Sequence, residues 1–428
     1  FTGLYPSQSS WGGGWYARPA PDKTTMAMAF REAGYETALF SNSPVLDAPE
    51  FYRGFGTTYC FTEFGVSGQG PRLVEKALAW LTEHRDEPTF TYLHFLDPHS
   101  PFTPPESYYD RFGTARPETA LGLYEDVREN VPALRATGFG PGEARFENLV
   151  QRYDGEIAFI DDTLKGFFGA LDGVGMADNT LVVLTADHGE EFLDHGFVEH
   201  AWTLYPEVHH IPLLFWQPGQ IPVGRVESTV SLVDIMPSVF TLQGVPQIGG
   251  VSGSPLFEPQ AGALSVVTAG TGPRVMELLI QSRSLVRGVV TDDTLYLAWW
   301  KWLSPEDCAK AAGAIRGTRA ELLEGTVVPT DSWGPIVREE LYHRKEDPGA
   351  TRNLAEEHPE QLQQWRDYLR AYEATCPPQL SDRFKGTRDP GLLTEEEKKL
   401  VEGVGGEFLT PVAPEVPHED ALKSLGYL

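Results

Sequence analysis

Hydrophobic and polar positions along the first 245 residues alternate between two periods, predicting strands and helices in turn. In DKTTMAMAFREAGYETALF (22–40), apolar positions at helical spacing run up to Gly34, and a strand follows over 36–40. PRLVEKALAWLTEH (71–84) predicts a second helix and TFTYLHF (89–95) a second strand. The span 145–172 places Leu149, Tyr153, Ile157, Ile160, Leu164, Phe168 and Leu171 at helical spacing, which predicts a long helix laying that face on a sheet. DNT then turns the chain into a strand over 180–185, and IPLLFW (211–216) supplies the next. SLVDIMPSVFTLQG (231–244) predicts a helix kinked or started near Pro237. Strand–helix alternation of this kind implies an α/β fold, a central mostly parallel sheet flanked by helices.

After about residue 250 the pattern changes. Gly/Ser/Pro-rich sequence fills 246–273, short strand-like pieces follow (SLVRGVV, TLYLAWW, EELYHR), and a helix is expected over 358–373. The expected organisation is a larger domain over 1–250 and a smaller C-terminal α+β subdomain with an antiparallel sheet over 251–380. An acidic, Pro-punctuated tail with a short terminal helix completes it over 381–428. No internal repeat is present.

Composition narrows the function classes. A hydrophobic fraction of 41% suits a globular protein, and no apolar run reaches the ~18 residues of a membrane span. The formal charge of −27 excludes nucleic acid and anionic membranes as main partners, because the field of the whole chain repels both. Cys60, Cys308 and Cys376 are widely spaced, so a thiolate metal site is not expected and no disulfide is indicated. The chain begins at Phe1 rather than Met, which leaves the compartment, cytoplasmic or secreted, unread.

The chemistry concentrates in two places. LVVLTADHGEEFLDHG (181–196) ends a buried-type strand in Asp187, His188 and Gly189, and TYLHFLDPHSPFTPP (91–105) carries Asp97 and His99 beyond another strand. Ligands in open α/β sheets gather beyond the carboxyl ends of strands. An aspartate beside a histidine offers one hard oxygen and one imidazole nitrogen, a pair suited to a divalent cation. Five of the eleven histidines (His188, His195, His200, His209, His210) fall within 188–210. Asp154 and Asp161 on the long helix read as solvated or capping residues, and His209 and His210 as strand-edge residues. His84, His343, His358 and His418 read as surface positions.

Several stretches in order resemble the sulfatase family of the alkaline-phosphatase-like superfamily: FTGLYPS, FREAGYETALFSN, FLDPHSPFTPP, RYDGEIAFIDDTL, DNTLVVLTADHGEEFLDHG, TLYPEVHHIPLLFWQPG, VSLVDIMPSVFTLQGVP, ELYHRKEDPGATRNLA and LKSLGYL. The resemblance implies that Asp187 and His188 are metal ligands, at a place where many members carry Asp-Asn. It implies that His99 contacts the sulfate or the leaving-group oxygen and that His200, in FVEHAWTLYPE, binds sulfate; Asn42 is expected in the same pocket. The implied cofactor is one divalent cation, Ca²⁺ by family default, with Mn²⁺, Mg²⁺ or Zn²⁺ admitted by the imidazole ligand.

The resemblance also implies a formylglycine nucleophile upstream of Phe1, in a segment that carries the first metal-ligand pair and a central strand. The chain is therefore expected to be a fragment, inactive alone, of an enzyme that forms a covalent formylglycine sulfate. It departs from the family at PSQSSWGGG, where members commonly place His-Gly after YPS. The implied partner is a sulfated small molecule or glycan; the oligomeric state is not legible. Two other functions stay open, namely a phosphate or phosphonate monoester hydrolase on the same fold and a catalytically dead anion-binding relative.

Overall fold

In the computed structural model the described residues are 1–11, 18–43, 46, 49–61, 69–113, 138–200, 203–260, 263–266, 273–280, 283–299, 336–373 and 375–376. The expected tail over 381–428, with His418, and Cys308 lie outside them. The chain divides into two compact units. Of the described residues, those within Phe1–Met26 and from Val182 onward form the first, and those within Ala27–Leu181 the second.

The second unit holds a three-stranded parallel sheet in the order Thr57–Cys60, Glu36–Ser41, Thr89–His94. Its middle strand is buried from Thr37 to Ser41, as a strand covered on both faces must be. Helix Gly70–Glu83 has Pro71 in its first turn, where no amide hydrogen is missed, and buries Leu73, Val74, Ala77 and Leu81 on one stripe. Leu73 and Ala77 meet Ala38 and Phe40 of the middle strand in a single cluster.

The long helix runs over Ala144–Gly173, close to the predicted bounds. Glu143 caps it, accepting from the amides of Arg145 and Phe146 at 3.2 and 3.4 Å. The face it buries is not the predicted one. Asn148, Gln151, Gly155, Glu156, Phe159, Thr163 and Phe167 are inside, while Ile157 is 42% exposed; of the predicted stripe only Leu171 is buried. Its neighbours are the helices Gly70–Glu83 and Glu106–Tyr109 rather than a sheet. The backbone of residues 103–113 also lies against this helix, and that backbone needs hydrogen-bond partners. Polar side chains therefore occupy the buried stripe.

In the first unit, Val182–Thr185 pairs antiparallel with Leu213–Trp216, and a small hairpin joins Glu191–Phe192 to Val198–Glu199. A 3-10 turn, Leu232–Asp234, held by a reciprocal Ser231–Asp234 capping box, leads into helix Ile235–Gln243. Pro237 sits in that helix's first turn and marks a start, not a kink. The C-terminal antiparallel sheet has four strands in the order Arg274–Ile280, Arg283–Val290, Thr294–Trp299, Arg338–His343. Helix Pro359–Glu373 covers one face, with Leu362, Trp365 and Leu369 against Val289, Tyr296, Ala298 and Leu341. The strand Arg274–Ile280 was not visible in the sequence pattern. The fold class stands: parallel strands with flanking helices, plus a C-terminal antiparallel sheet.

Cys60 and Cys376 are free thiols. No helix among the described residues is long and apolar enough to cross a membrane.

Candidate functional site

The loop that follows strand Val182–Thr185 carries the richest chemistry. Its backbone folds back on residues 207–208, with Gly189 N–H donating to Val208 O at 2.7 Å and Glu190 N–H to Glu207 O at 3.1 Å. The approach is so close that a Cβ on Gly189 would stand 2.0 Å from the Glu207 carbonyl oxygen. Only glycine fits there, which explains the third residue of Asp-His-Gly. The hairpin then turns at Leu193 and Gly196, both at positive φ, and returns through Glu199, also at positive φ (67°), to deliver His200 beside His188. The two imidazole rings stack with centroids 4.0 Å apart.

Each ring is oriented through Nδ1. His188 Nδ1 lies 2.9 Å from Gly189 O, and His200 Nδ1 lies 3.2 Å from Glu190 Oε1, whose side chain is 5% exposed. A carbonyl or carboxylate oxygen only accepts, so Nδ1 carries the hydrogen in both cases. Nε2 is then the nitrogen each ring presents as donor or ligand. His188 Nε2 stands 3.7 Å from Asp187 Oδ2, and Asp187 Oδ1 accepts from the His188 amide at 3.0 Å.

The donor set fits a divalent cation as half of a shell. One carboxylate oxygen and one imidazole nitrogen 3.7 Å apart are spaced as two ligands of one ion, each about 2.1 Å from it, require. Among the described residues no group of three or more His, Cys, Asp or Glu comes together as a metal cluster, so further donors must come from elsewhere.

Behind these residues lies a second tier of carboxylates. Glu191 is fully buried, with Oε1 accepting from Thr203 Oγ1 at 2.9 Å. Burial drives its pKa well above the ordinary carboxylate value, the Thr203 bond works against that, and neighbouring Glu207, Glu190 and Asp194 push the same way as burial. His195 sits between Glu207 Oε1 at 2.6 Å and Ala350 O at 3.0 Å, face to face with Tyr205 at 3.7 Å. Both of its ring nitrogens face acceptors, so the imidazolium is the form this site holds. Burial opposes the charge, but the Glu207 carboxylate outweighs it and the pKa is raised. His209 ends the short helix Pro206–His209, with Nδ1 2.9 Å from Leu204 O. Burial holds its pKa down to about 4, so it is a neutral structural residue and not the expected strand-edge histidine.

His99 and Asn42 belong to the second unit, so the Asp187 loop and the His99 loop lie on different units. Asn42 directly follows the buried middle strand and is itself 7% exposed. Its Oδ1 accepts from Leu96 N–H at 2.7 Å, and this bond fixes the start of the loop that carries His99. His99 follows the same rule as the other two: Nδ1 lies 2.6 Å from Ser100 O, leaving Nε2 as the presented nitrogen. Further along, Glu156, 1% exposed, accepts from Thr103 N–H at 2.8 Å. Gly155 lets Pro104 approach, since a Cβ there would meet Pro104 Cγ at 2.8 Å. Asp154 is half-buried, its pKa raised by burial, whereas Asp161 is exposed.

Sequence reasoning missed Glu190, Glu207 and Glu156, the carboxylates that hold the loops. The signal for the first two was present: acids interleave with histidines throughout 187–210. Glu156 had none, because a lone acid on a helix reads as solvated.

A family model described as Sulfatase matches residues 1–245. Among curated proteins, arylsulfatase K of Danio rerio is 34% identical over 131 residues, 31% of this chain and 25% of that protein. An uncharacterised sulfatase of Escherichia coli K12 is 24% identical over 287 residues, 57% of each. The chain thus spans between a quarter and a little over half the length of these two relatives.

Two solved structures share the fold. One is a protein in complex with its substrate D-glucosamine-2-N,6-O-disulfate (TM-score 0.58, 16% identity, 88% of each chain). The other is a phosphonate monoester hydrolase of Agrobacterium radiobacter (TM-score 0.60, 18% identity, 88% of this chain and 85% of that one). With its model matched over more than half the chain and its landmarks in order, the protein belongs to the sulfatase family.

Proposed function

We propose that this chain carries the cation- and sulfate-binding part of a metal-dependent sulfuric ester hydrolase. The observation that carries the reading is the shared orientation of three histidines. His99, His188 and His200 each give Nδ1 to an oxygen acceptor and so present Nε2. Asp187 and His188 would hold the cation, Ca²⁺ by family default, and when bound it supplies Lewis-acid stabilisation of charge on a sulfate oxygen.

The chain's own residues do the rest. When its ring is protonated, His200 donates from Nε2 to a non-bridging oxygen, while the Glu190 carboxylate accepts from Nδ1 and fixes the ring. His99 is assigned by family resemblance to the leaving-group oxygen, where an imidazole can donate a proton. Asn42 positions the His99 loop through Leu96 and is not assigned to substrate. The substrate class is a sulfated small molecule or glycan, supported by the substrate named for the disulfate-bound structure.

Phosphate or phosphonate monoesters are the second reading, favoured by the similar fold of the phosphonate monoester hydrolase and by His188 where many sulfatases carry Asn. Turnover of 4-nitrophenyl sulfate and 4-nitrophenyl phosphate by the full-length protein with Ca²⁺ or Mn²⁺ tests both. Faster sulfate turnover supports the leading reading, and faster phosphate turnover the second. Turnover of neither, with metal bound, leaves the dead anion-binding relative.

A further inference from the structure

A second pocket of a different character lies wholly within the first unit. Its volume is about 610 Å³, within the range that holds a drug- or sugar-sized molecule. None of its wall residues comes from 187–210, so it is distinct from the histidine-rich loop. Tyr5, Tyr368 and Tyr372 provide aromatic wall, and Lys23 and Arg274 provide charge. Among the described residues lining it, none is acidic, in a chain whose acids outnumber its lysines and arginines 61 to 34.

The hydrogen-bonding inventory of the wall says what is missing. Gln8 is engaged at both ends: Oε1 accepts from Ser252 Oγ at 2.6 Å and from Tyr5 N–H at 3.2 Å, and Nε2 donates to Thr375 Oγ1 at 3.0 Å. Thr375 Oγ1 donates onward to Tyr372 O at 2.7 Å. The tyrosine hydroxyls are also engaged by the protein itself. Tyr368 donates to Pro273 O at 2.9 Å, Tyr5 accepts from Val275 N–H at 3.2 Å, and Tyr372 pairs with Ser7 Oγ at 2.7 Å. Their rings, not their hydroxyls, are what they offer.

The cations are partly engaged. Arg274 is 6% exposed and forms a buried ion pair with Asp234, its Nη2 3.0 Å from Oδ2. Asp234 also accepts the amides of Ser231 at 2.8 Å and Ser254 at 2.9 Å. A guanidinium has five donors and one carboxylate cannot take them all, so Arg274 keeps donors for a second anion. Lys23 pairs with its neighbour Asp22 at 3.0 Å, with its side chain 28% exposed.

We propose that this cavity binds a ring-bearing organic anion, a sulfated or carboxylated sugar in size and chemistry, with its acid group drawn to Lys23 and Arg274 and its ring against the tyrosine faces. The cationic donors supply specificity for the acid, and the aromatic wall supplies contact area.

The test titrates the whole chain with glucose 6-sulfate, and with glucose as the neutral control, by calorimetry. Lys23→Glu reverses one charge, and Ala371→Trp, on an exposed helix position of the wall, fills the space. Arg274 is left intact, because its loss would strand buried Asp234. An Asp187→Asn/His200→Ala background removes the proposed oxyanion site. The expected result is binding of the sulfated sugar and not of glucose, retained in that background and weakened about tenfold or more by Lys23→Glu and by Ala371→Trp. Thermal melts confirm that each variant folds, and Lys23→Glu alone decides if the tryptophan variant does not. Binding lost in the Asp187/His200 background, binding untouched by Lys23→Glu, equal binding of glucose, or no binding at all would each overturn the proposal.

Discussion

The two histidine-bearing loops are held by different forces. The His99 loop hangs on an amide, a lone carboxylate and a packing contact: the Asn42 amide at Leu96, Glu156 at Thr103, and the contact of Pro104 with Gly155. The 187–210 loop hangs on histidine–carboxylate pairs, His200 with Glu190 and His195 with Glu207, around one close backbone approach at Gly189. The Asn42 contact, an amide, keeps its geometry whatever the pH. The His195–Glu207 pair is strongest while the ring is charged, so it couples geometry to proton concentration.

The largest effect expected is at Gly189. Gly189→Ala drives a methyl into the Glu207 carbonyl, with backbone on both sides and nothing flexible to yield. A loss of at least about 3 kcal/mol in denaturant unfolding is expected, with the 187–200 amides exchanging faster and the His99 loop unchanged. Next comes the other loop. Glu156→Ala leaves the Thr103 amide without its acceptor and should cost about 1–3 kcal/mol. Asn42→Ala should cost about 1 kcal/mol through Leu96. Hydrogen exchange confined to 96–105 in both variants would sharpen the contrast; exchange spreading to 187–200 would break it.

A subtler effect concerns pH. The ordinary value of His195, 6.5, is raised in the fold, so the stability it adds is complete below about pH 6.5 and is lost as pH rises through the raised value. The charged and titratable groups facing it are Glu207, Glu340, Asp347 and Tyr205. His209 works in the opposite sense: held down to about 4, it costs stability as pH falls from 6.5 toward that value. Protection of residues 189–210 in hydrogen exchange, corrected for the intrinsic rate, should peak near pH 6–7 and decline on both sides. Leu96, held by the Asn42 amide, should stay flat. His195→Gln should remove the alkaline limb; if that limb persists, the charge sits elsewhere.

Legibility in the sequence follows the same divide. Strand–helix alternation predicted the elements of both units because regular burial leaves a regular stripe, as with Leu73, Val74, Ala77 and Leu81. The long helix shows the limit. Its apolar stripe pointed to Ile157, but the buried face carries Asn148, Gln151 and Glu156, because it serves loop backbone rather than a sheet. Periodicity cannot see a partner that needs hydrogen bonds. In the site, Asp187, His188, His200 and His99 stood out as chemistry at strand ends. The partners that set their tautomers, the Gly189 and Ser100 carbonyls and the Glu190 carboxylate, did not stand out, since which acid or carbonyl faces which ring is a spatial relation.

The most direct measurement is sulfate affinity in the His200→Ala variant, by calorimetry with Ca²⁺ present, set beside its melting temperature. Sulfate binding weakened about tenfold or more with melting shifted by only a few degrees is the predicted result. A collapsed melting temperature with sulfate affinity intact would make His200 a packing residue against His188 and contradict the account.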